Sequence, residues 1–299
     1  MKEPKLKEYS MKIFLQLIML ISSLNCFYFA QSKTPELTEY KSNYLGQPAP
    51  GNKAVPFAAG FFNKNIYSSV VFSNDGKEAY WSTQSCIYQS KQLNGTWTKP
   101  EPLNLISGKP TCPMLLPDNK RLYFNDWNNG TIYYAERTDA GWSKPTPLPE
   151  VINSTSNIHW NISVDNKRNL YLAFGESNTD VKILYSEFKN GEYTKPALIE
   201  SLKDETTICP YVAPDGSYLI YVKFTVTEKS NDRAFYIMFK NKSERWGKEI
   251  NISEIIGENG FCSYVTNDGK YLFFFNKDTM YWVDASFIEE LRKEMLKGN

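Results

Sequence analysis

One turn signal recurs five times along the 299-residue chain, each copy flanked by short apolar and aromatic strands, with 43 to 53 residues between copies. Together these observations predict an all-β fold: a five-bladed β-propeller of four-stranded antiparallel blades. The propeller is expected over residues 52–284, with its ring closed by an N-terminal strand. A short C-terminal helix is expected over 285–299. The aromatic content of 15% agrees, because Tyr and Phe favour pleated, half-buried surfaces.

The chain starts with Lys2, Lys5, Lys7 and Lys12, then an apolar stretch from Ile13 to Leu24, then Ala30. A basic start, a short apolar core and a small residue at its end read as a secretory signal peptide over residues 1–30. The apolar core is too short for a membrane span and is interrupted by Gln16, Ser22 and Ser23. A second reading acylates Cys26, although Asn25 replaces the small residue that such a site prefers. Membrane association is expected only with that lipid. Residues 31–51 read as an extended segment. The expected location is periplasmic or secreted.

The turns are Ser73-Asn74-Asp75-Gly76, Pro117-Asp118-Asn119, Val164-Asp165-Asn166, Pro214-Asp215-Gly216 and Asn267-Asp268-Gly269. Asp-Gly and Asp-Asn tolerate the positive φ of a tight turn, so each marks strand–turn–strand. An apolar strand precedes each turn, such as Val70-Val71-Phe72. An aromatic strand follows, such as Leu122-Tyr123-Phe124, and then a third, such as Ile132-Tyr133-Tyr134. The outer strand carries Trp97-Thr98-Lys99-Pro100, repeated as Trp142-Ser143-Lys144-Pro145 and Tyr193-Thr194-Lys195-Pro196. Proline donates no ladder hydrogen bond, which suits an edge. The fifth repeat lacks this strand, and Val55-Pro56-Phe57-Ala58-Ala59 is available to supply it. Phe287, Ile288, Leu291 and Met295 then recur at helical spacing.

Asp268-Gly269-Lys270-Tyr271-Leu272-Phe273-Phe274 and Asp215-Gly216-Ser217-Tyr218-Leu219-Ile220-Tyr221 resemble the TolB-like, WD40-like (PD40) propeller repeat. The resemblance spans roughly residues 52–284. It implies the fold, and its members include scaffolds, accessory domains and enzymes, so it implies no single activity.

Counting six residues back from each turn Asp gives Ser69, Cys112, His159, Cys209 and Cys262. Thiolate and imidazole suit zinc or copper(I), while small side chains packed between blades account for the same pattern. Packing is the preferred reading, with neither metal nor cofactor expected. A Cys209–Cys262 disulfide is the third alternative. His159, Asn161 and Tyr211, with loop residues Asp126, Trp127 and Glu176, are expected to form a polar, aromatic ligand site at the channel mouth.

The net charge of +1 argues against nucleic acid as a partner. No Gly-x-Ser-x-Gly elbow or phosphate loop is present, and the single histidine excludes most His-based mechanisms. The expected function is a monomeric, non-enzymatic binding or interaction module. Its partner would be a cell-envelope protein, a glycan or a small polar ligand. The alternative is a carbohydrate-active hydrolase or lyase acting at the channel mouth.

Overall fold

A computed structural model describes residues 36–62, 65–154, 159–175, 180–226 and 231–297. The expected signal peptide lies outside the described residues. Leu37–Asn299 forms one unit, and it is a ring of five antiparallel blades. In each blade the chain runs from the channel outward.

Blade I has Val71–Phe72 innermost, then Glu78–Ser82, Ile87–Leu93 and the edge pieces Thr96–Thr98 and Glu101–Pro102. Blade II has Pro110–Leu115, Arg121–Asp126, Ile132–Thr138, Gly141–Trp142 and Thr146–Pro147. Blade III runs through His159–Val164, Leu170–Phe174, Lys182–Ser186 and Ala197–Leu198. Blade IV runs through Thr206–Val212, Tyr218–Val226, Asn231–Phe239 and Ile250–Asn251. Blade V contributes Phe261–Val265, Tyr271–Asn276 and Thr279–Asp284.

The proline mark breaks the outer strand in two. Trp97 pairs with Gln92 at the far end of the third strand, whereas Glu101 and Pro102, beyond Pro100, pair with Gln89 and Tyr88. Blade II repeats this, with Trp142 on Arg137 and Pro147 on Tyr133. A residue without an N–H ends one run of ladder and allows the chain to bend before the next.

Val55–Pro56 is the fourth strand of blade V, with Val55 opposite Trp282 and Pro56 opposite Tyr281. The Phe57 amide extends the pairing by donating to the Met280 carbonyl at 2.8 Å. Its ring is buried beside Phe273 and Trp282, each 4.9 Å away between centroids. The first and last parts of the ring therefore share one blade, and no open edge remains between them. Upstream, Leu37–Lys41 adds a strand to the edge of blade I, opposite Thr96–Thr98. The chain ends in the helix Ser286–Lys297, which docks Phe287 and Ile288 into the core.

Neighbouring blades are also stapled near the channel. The Tyr211 hydroxyl of blade IV donates to the Val265 carbonyl of blade V at 2.8 Å. The equivalent Tyr264 hydroxyl donates to the Phe72 carbonyl of blade I at 3.0 Å. Both phenols are buried, and burial pushes their pKa values up, so both stay protonated donors.

Blade III corrects the repeat register. Gly76, Asn119, Arg168, Gly216 and Gly269 all have positive φ and occupy the same turn position. Each donates its amide to the residue three places earlier: Ser73, Leu116, Asp165, Ala213 and Thr266. Asp165 is therefore equivalent to Ser73 and Thr266, and Lys167 stands where the other turns have Asp. The Asp165 carboxylate caps the Asn169 amide at 2.9 Å, the task of the Ser73 hydroxyl on Glu78, and also takes the Lys167 amide at 2.9 Å. An acid that looks like the turn Asp is the capping residue two places earlier. The residue equivalent to Cys112, Cys209 and Cys262 is consequently Asn161 and not His159.

Candidate functional site

The corrected register gathers Ser69, Cys112, Asn161, Cys209 and Cys262 around the channel. Cys112, Cys209 and Cys262 have φ of 52°, 56° and 52°, in the left-handed region. Each lies in a bulge of its inner strand, where the register shifts between Thr111 and Met114, Ile208 and Tyr211, and Phe261 and Tyr264. The bulge turns the side chain toward the axis at some cost in backbone strain.

Asn161 is the hub of this ring. Its Nδ2 donates to Cys112 Sγ at 3.0 Å and lies 3.4 Å from Cys262 Sγ, while its Oδ1 accepts from Cys209 Sγ at 3.3 Å. Cys209 and Cys262 sulfurs are 3.2 Å apart. Hydrogen bonds to Cys112 and Cys209, with burial added, push the Cys262 thiol pKa up. All of these cysteines are thiols. Among the described residues no group of three or more His, Cys, Asp or Glu side chains is placed to hold a metal ion.

The axial cavity that Asn161 and Tyr211 both line is about 40 Å³, room for a water or two and not for a sugar. The Asp126 carboxylate caps the Lys109 amide at 2.8 Å and the Asn128 amide at 3.0 Å, shaping its own loop. A Cβ on Gly108 would stand 2.1 Å from Asp126 Oδ2, so that approach requires glycine. Trp127 is partly exposed on the upper face and meets Tyr67 edge to face at 5.1 Å. His159 begins its strand opposite Phe174, but its side chain lies outside what is described, as does the whole of Glu176. The structure thus brings Asn161 and Tyr211 to one small axial cavity and keeps Asp126 and Trp127 in a separate loop.

The larger space lies on the opposite face, where the inner hairpins turn. A groove of about 390 Å³ opens between blades III and IV, walled by Tyr171, Tyr185 and Trp246 and rimmed by Glu187, Asp215, Lys240 and Glu244. Sequence reading missed it because it forms between repeats. The equivalent junction of blades I and II shows what fills such a space. There Arg137 lies 4.0 Å over the Trp142 ring, pairs with Glu78 and reaches the Tyr80 hydroxyl at 3.4 Å.

Between blades III and IV, Lys240 replaces Arg137, Asn169 replaces Glu78, and Tyr171 and Trp246 stand for Tyr80 and Trp142. The two rings keep the same edge-on arrangement, at 6.2 Å against 6.0 Å. Lys240 sits farther from its ring, at 5.2 Å, and Asn169 turns away to Asp165 Oδ2 at 2.8 Å. The shorter pair leaves the groove open. Asp165 lies at its floor, and burial pushes its pKa up against the hydrogen bonds from Asn169 and Lys167.

No family model matches the chain, and no curated protein does. Solved structures share its fold. A protein assigned as TolB from Agrobacterium tumefaciens superposes with a TM-score of 0.50 at 12% identity, over 72% of each chain. A chain of a nidogen/laminin complex superposes with a TM-score of 0.50 at 16% identity, over 80% of this chain and 88% of that one. Identities this low show a common propeller architecture, the one that the TolB-like repeats imply, and nothing of activity.

Proposed function

We propose that the protein is an exported β-propeller, periplasmic or secreted, that acts as a protein-interaction module at the cell envelope through the groove between blades III and IV. The basic-then-apolar N-terminus supports export. The carrying observation is the contrast between two equivalent junctions, one filled by Arg137 and one open. The groove offers a guanidinium the face of Trp246, which Lys240 approaches only to 5.2 Å while pairing with Glu244 at 3.5 Å. It also offers the carboxylates of Glu187 and Asp215, with Lys167 also in the lining. An arginine side chain of a partner protein has the shape and charge for that place, because a planar fork stacks and hydrogen-bonds at once. The chain in the nidogen/laminin complex is a propeller of similar architecture within a protein assembly.

Binding is favoured over hydrolysis. On the upper face Asp126 caps its own loop, and Glu258 accepts from Asn276 Nδ2 at 3.1 Å. In the groove Asp165 is likewise occupied with three hydrogen bonds.

The test is titration with a short arginine-bearing peptide, followed by chemical shifts or calorimetry. One stacked ion pair predicts dissociation constants of roughly millimolar order. Trp246→Ala is expected to abolish binding, and a lysine analogue to bind more weakly. Equal binding by Trp246→Ala would overturn the assignment of the groove.

A further inference from the structure

The thiols at the channel are not used by the groove, and their arrangement goes beyond it. Three observations converge on Cys209 and Cys262. They occupy equivalent positions on adjacent blades. Their sulfurs are 3.2 Å apart, and a disulfide of about 2.05 Å requires them to close by only about 1 Å. Both hold their backbones in the left-handed region, as does Cys112, whereas Ser69 and Asn161 at the same ring position do not. The strained conformation thus coincides with the sulfur-bearing residues.

We propose that Cys209 and Cys262 are a covalent oxidation site, forming an interblade disulfide by exchange with a small-molecule or protein disulfide. Cys262 is the entry point, because Cys86, Cys112 and Cys209 are all buried and Cys262 is partly open. Its thiolate, after losing a proton to solvent, attacks one sulfur of the incoming disulfide. That bond breaks, and the first thiol leaves, taking up a proton. Cys209, also deprotonated, then attacks the Cys262 sulfur from its neighbouring position. The Cys209–Cys262 bond forms as the second thiol leaves and is protonated. Two protein thiols are oxidised and one external disulfide is reduced to two thiols.

Asn161 sorts the three candidates. Its Nδ2 holds Cys112 at 3.0 Å, while its Oδ1 accepts from Cys209, which stays beside Cys262. Cys112 also reaches Cys262 with a hydrogen bond, so the selection rests on the 3.2 Å approach of Cys209 to Cys262 and on the Asn161 amide that holds Cys112. The new bond would clamp blade IV to blade V, the blade that also closes the ring, and would enclose a separation of 53 residues.

The test uses protein purified under reducing conditions and incubated with oxidised glutathione at about pH 9, above the ordinary thiol pKa, because the Cys262 thiol is held higher. Free thiols are then alkylated and peptides mapped without reduction. The expected result is one cross-link joining the Cys209 and Cys262 peptides, with Cys86 and Cys112 alkylated. The melting temperature should rise by about 5–10 °C and fall back on adding reductant. Cys112→Ser should still form the cross-link, and Cys262→Ser should not. Alkylation of both Cys209 and Cys262, a Cys112–Cys262 cross-link, or glutathione left attached to Cys262 would each overturn the proposal. The wild-type map decides even if a variant fails to fold.

Discussion

Replacing Phe57 with Ala should loosen the ring at its closure. Phe57 is 1% exposed and touches both ends of the propeller: Phe273 and Trp282 of blade V at 4.9 Å, and Phe72 of blade I at 6.2 Å. Truncating a buried Phe costs about 3–5 kcal/mol through lost transfer energy and the cavity left behind. Loss of the aromatic pairs, at about 0.5–1.5 kcal/mol each, puts the change toward the upper end. At roughly 2–4 °C per kcal/mol for a domain of this size, the melting temperature should fall by about 8–20 °C. Scanning calorimetry or near-ultraviolet circular dichroism would read the shift. Val55→Ala serves as the control, since Val55 is 41% exposed, and it should change stability by no more than about 0.5 kcal/mol. A Phe57→Ala shift below about 2 °C would refute the idea that the N-terminal strand secures the ring.

Three further outcomes are expected. Tyr264→Phe removes the hydroxyl that bridges blade V to the Phe72 carbonyl, and should cost about 1–3 kcal/mol in a denaturant titration because a buried acceptor loses its partner. Asp165 has a folded-state pKa raised by burial, so the folded chain binds the extra proton between the two pKa values. Stability should therefore fall as pH rises from about 4 through that window, and Asp165→Asn should remove this decline in denaturant midpoints measured against pH. Finally, the Cys262 thiol is held above its ordinary pKa by Cys112, Cys209 and burial. Its alkylation rate should climb about tenfold per pH unit between roughly pH 7 and 9, read by peptide mass spectrometry, whereas a plateau in that range would contradict the raised pKa.

Local signals made the blades legible. Asp-Gly and Asp-Asn turns, alternating aromatics and the missing fifth outer strand predict the five blades, and Val55–Pro56 lies where closure requires it. The same signals mislead in blade III, because Asp165 is an acid beside an Asn and mimics the turn while acting as its cap. That two-residue slip puts His159 in the place of Asn161. The convergence of three thiols on one amide could be read only after the bulges fixed where each side chain points. The groove between blades III and IV had no local signature. It arises because Lys240 and Asn169 are smaller than Arg137 and Glu78, a difference that matters only once Trp246 and Tyr171 are known to face each other across two blades.

Rebuilding the filled junction inside the open one tests the central claim most directly. The double substitution Lys240→Arg with Asn169→Glu would place an arginine over Trp246 and a carboxylate beside it, copying Arg137, Trp142 and Glu78. Calorimetric titration of this variant with the arginine-bearing peptide should show no binding, with the wild type binding and the variant folded by circular dichroism. Undiminished binding by the filled variant would place the interaction surface elsewhere on the propeller.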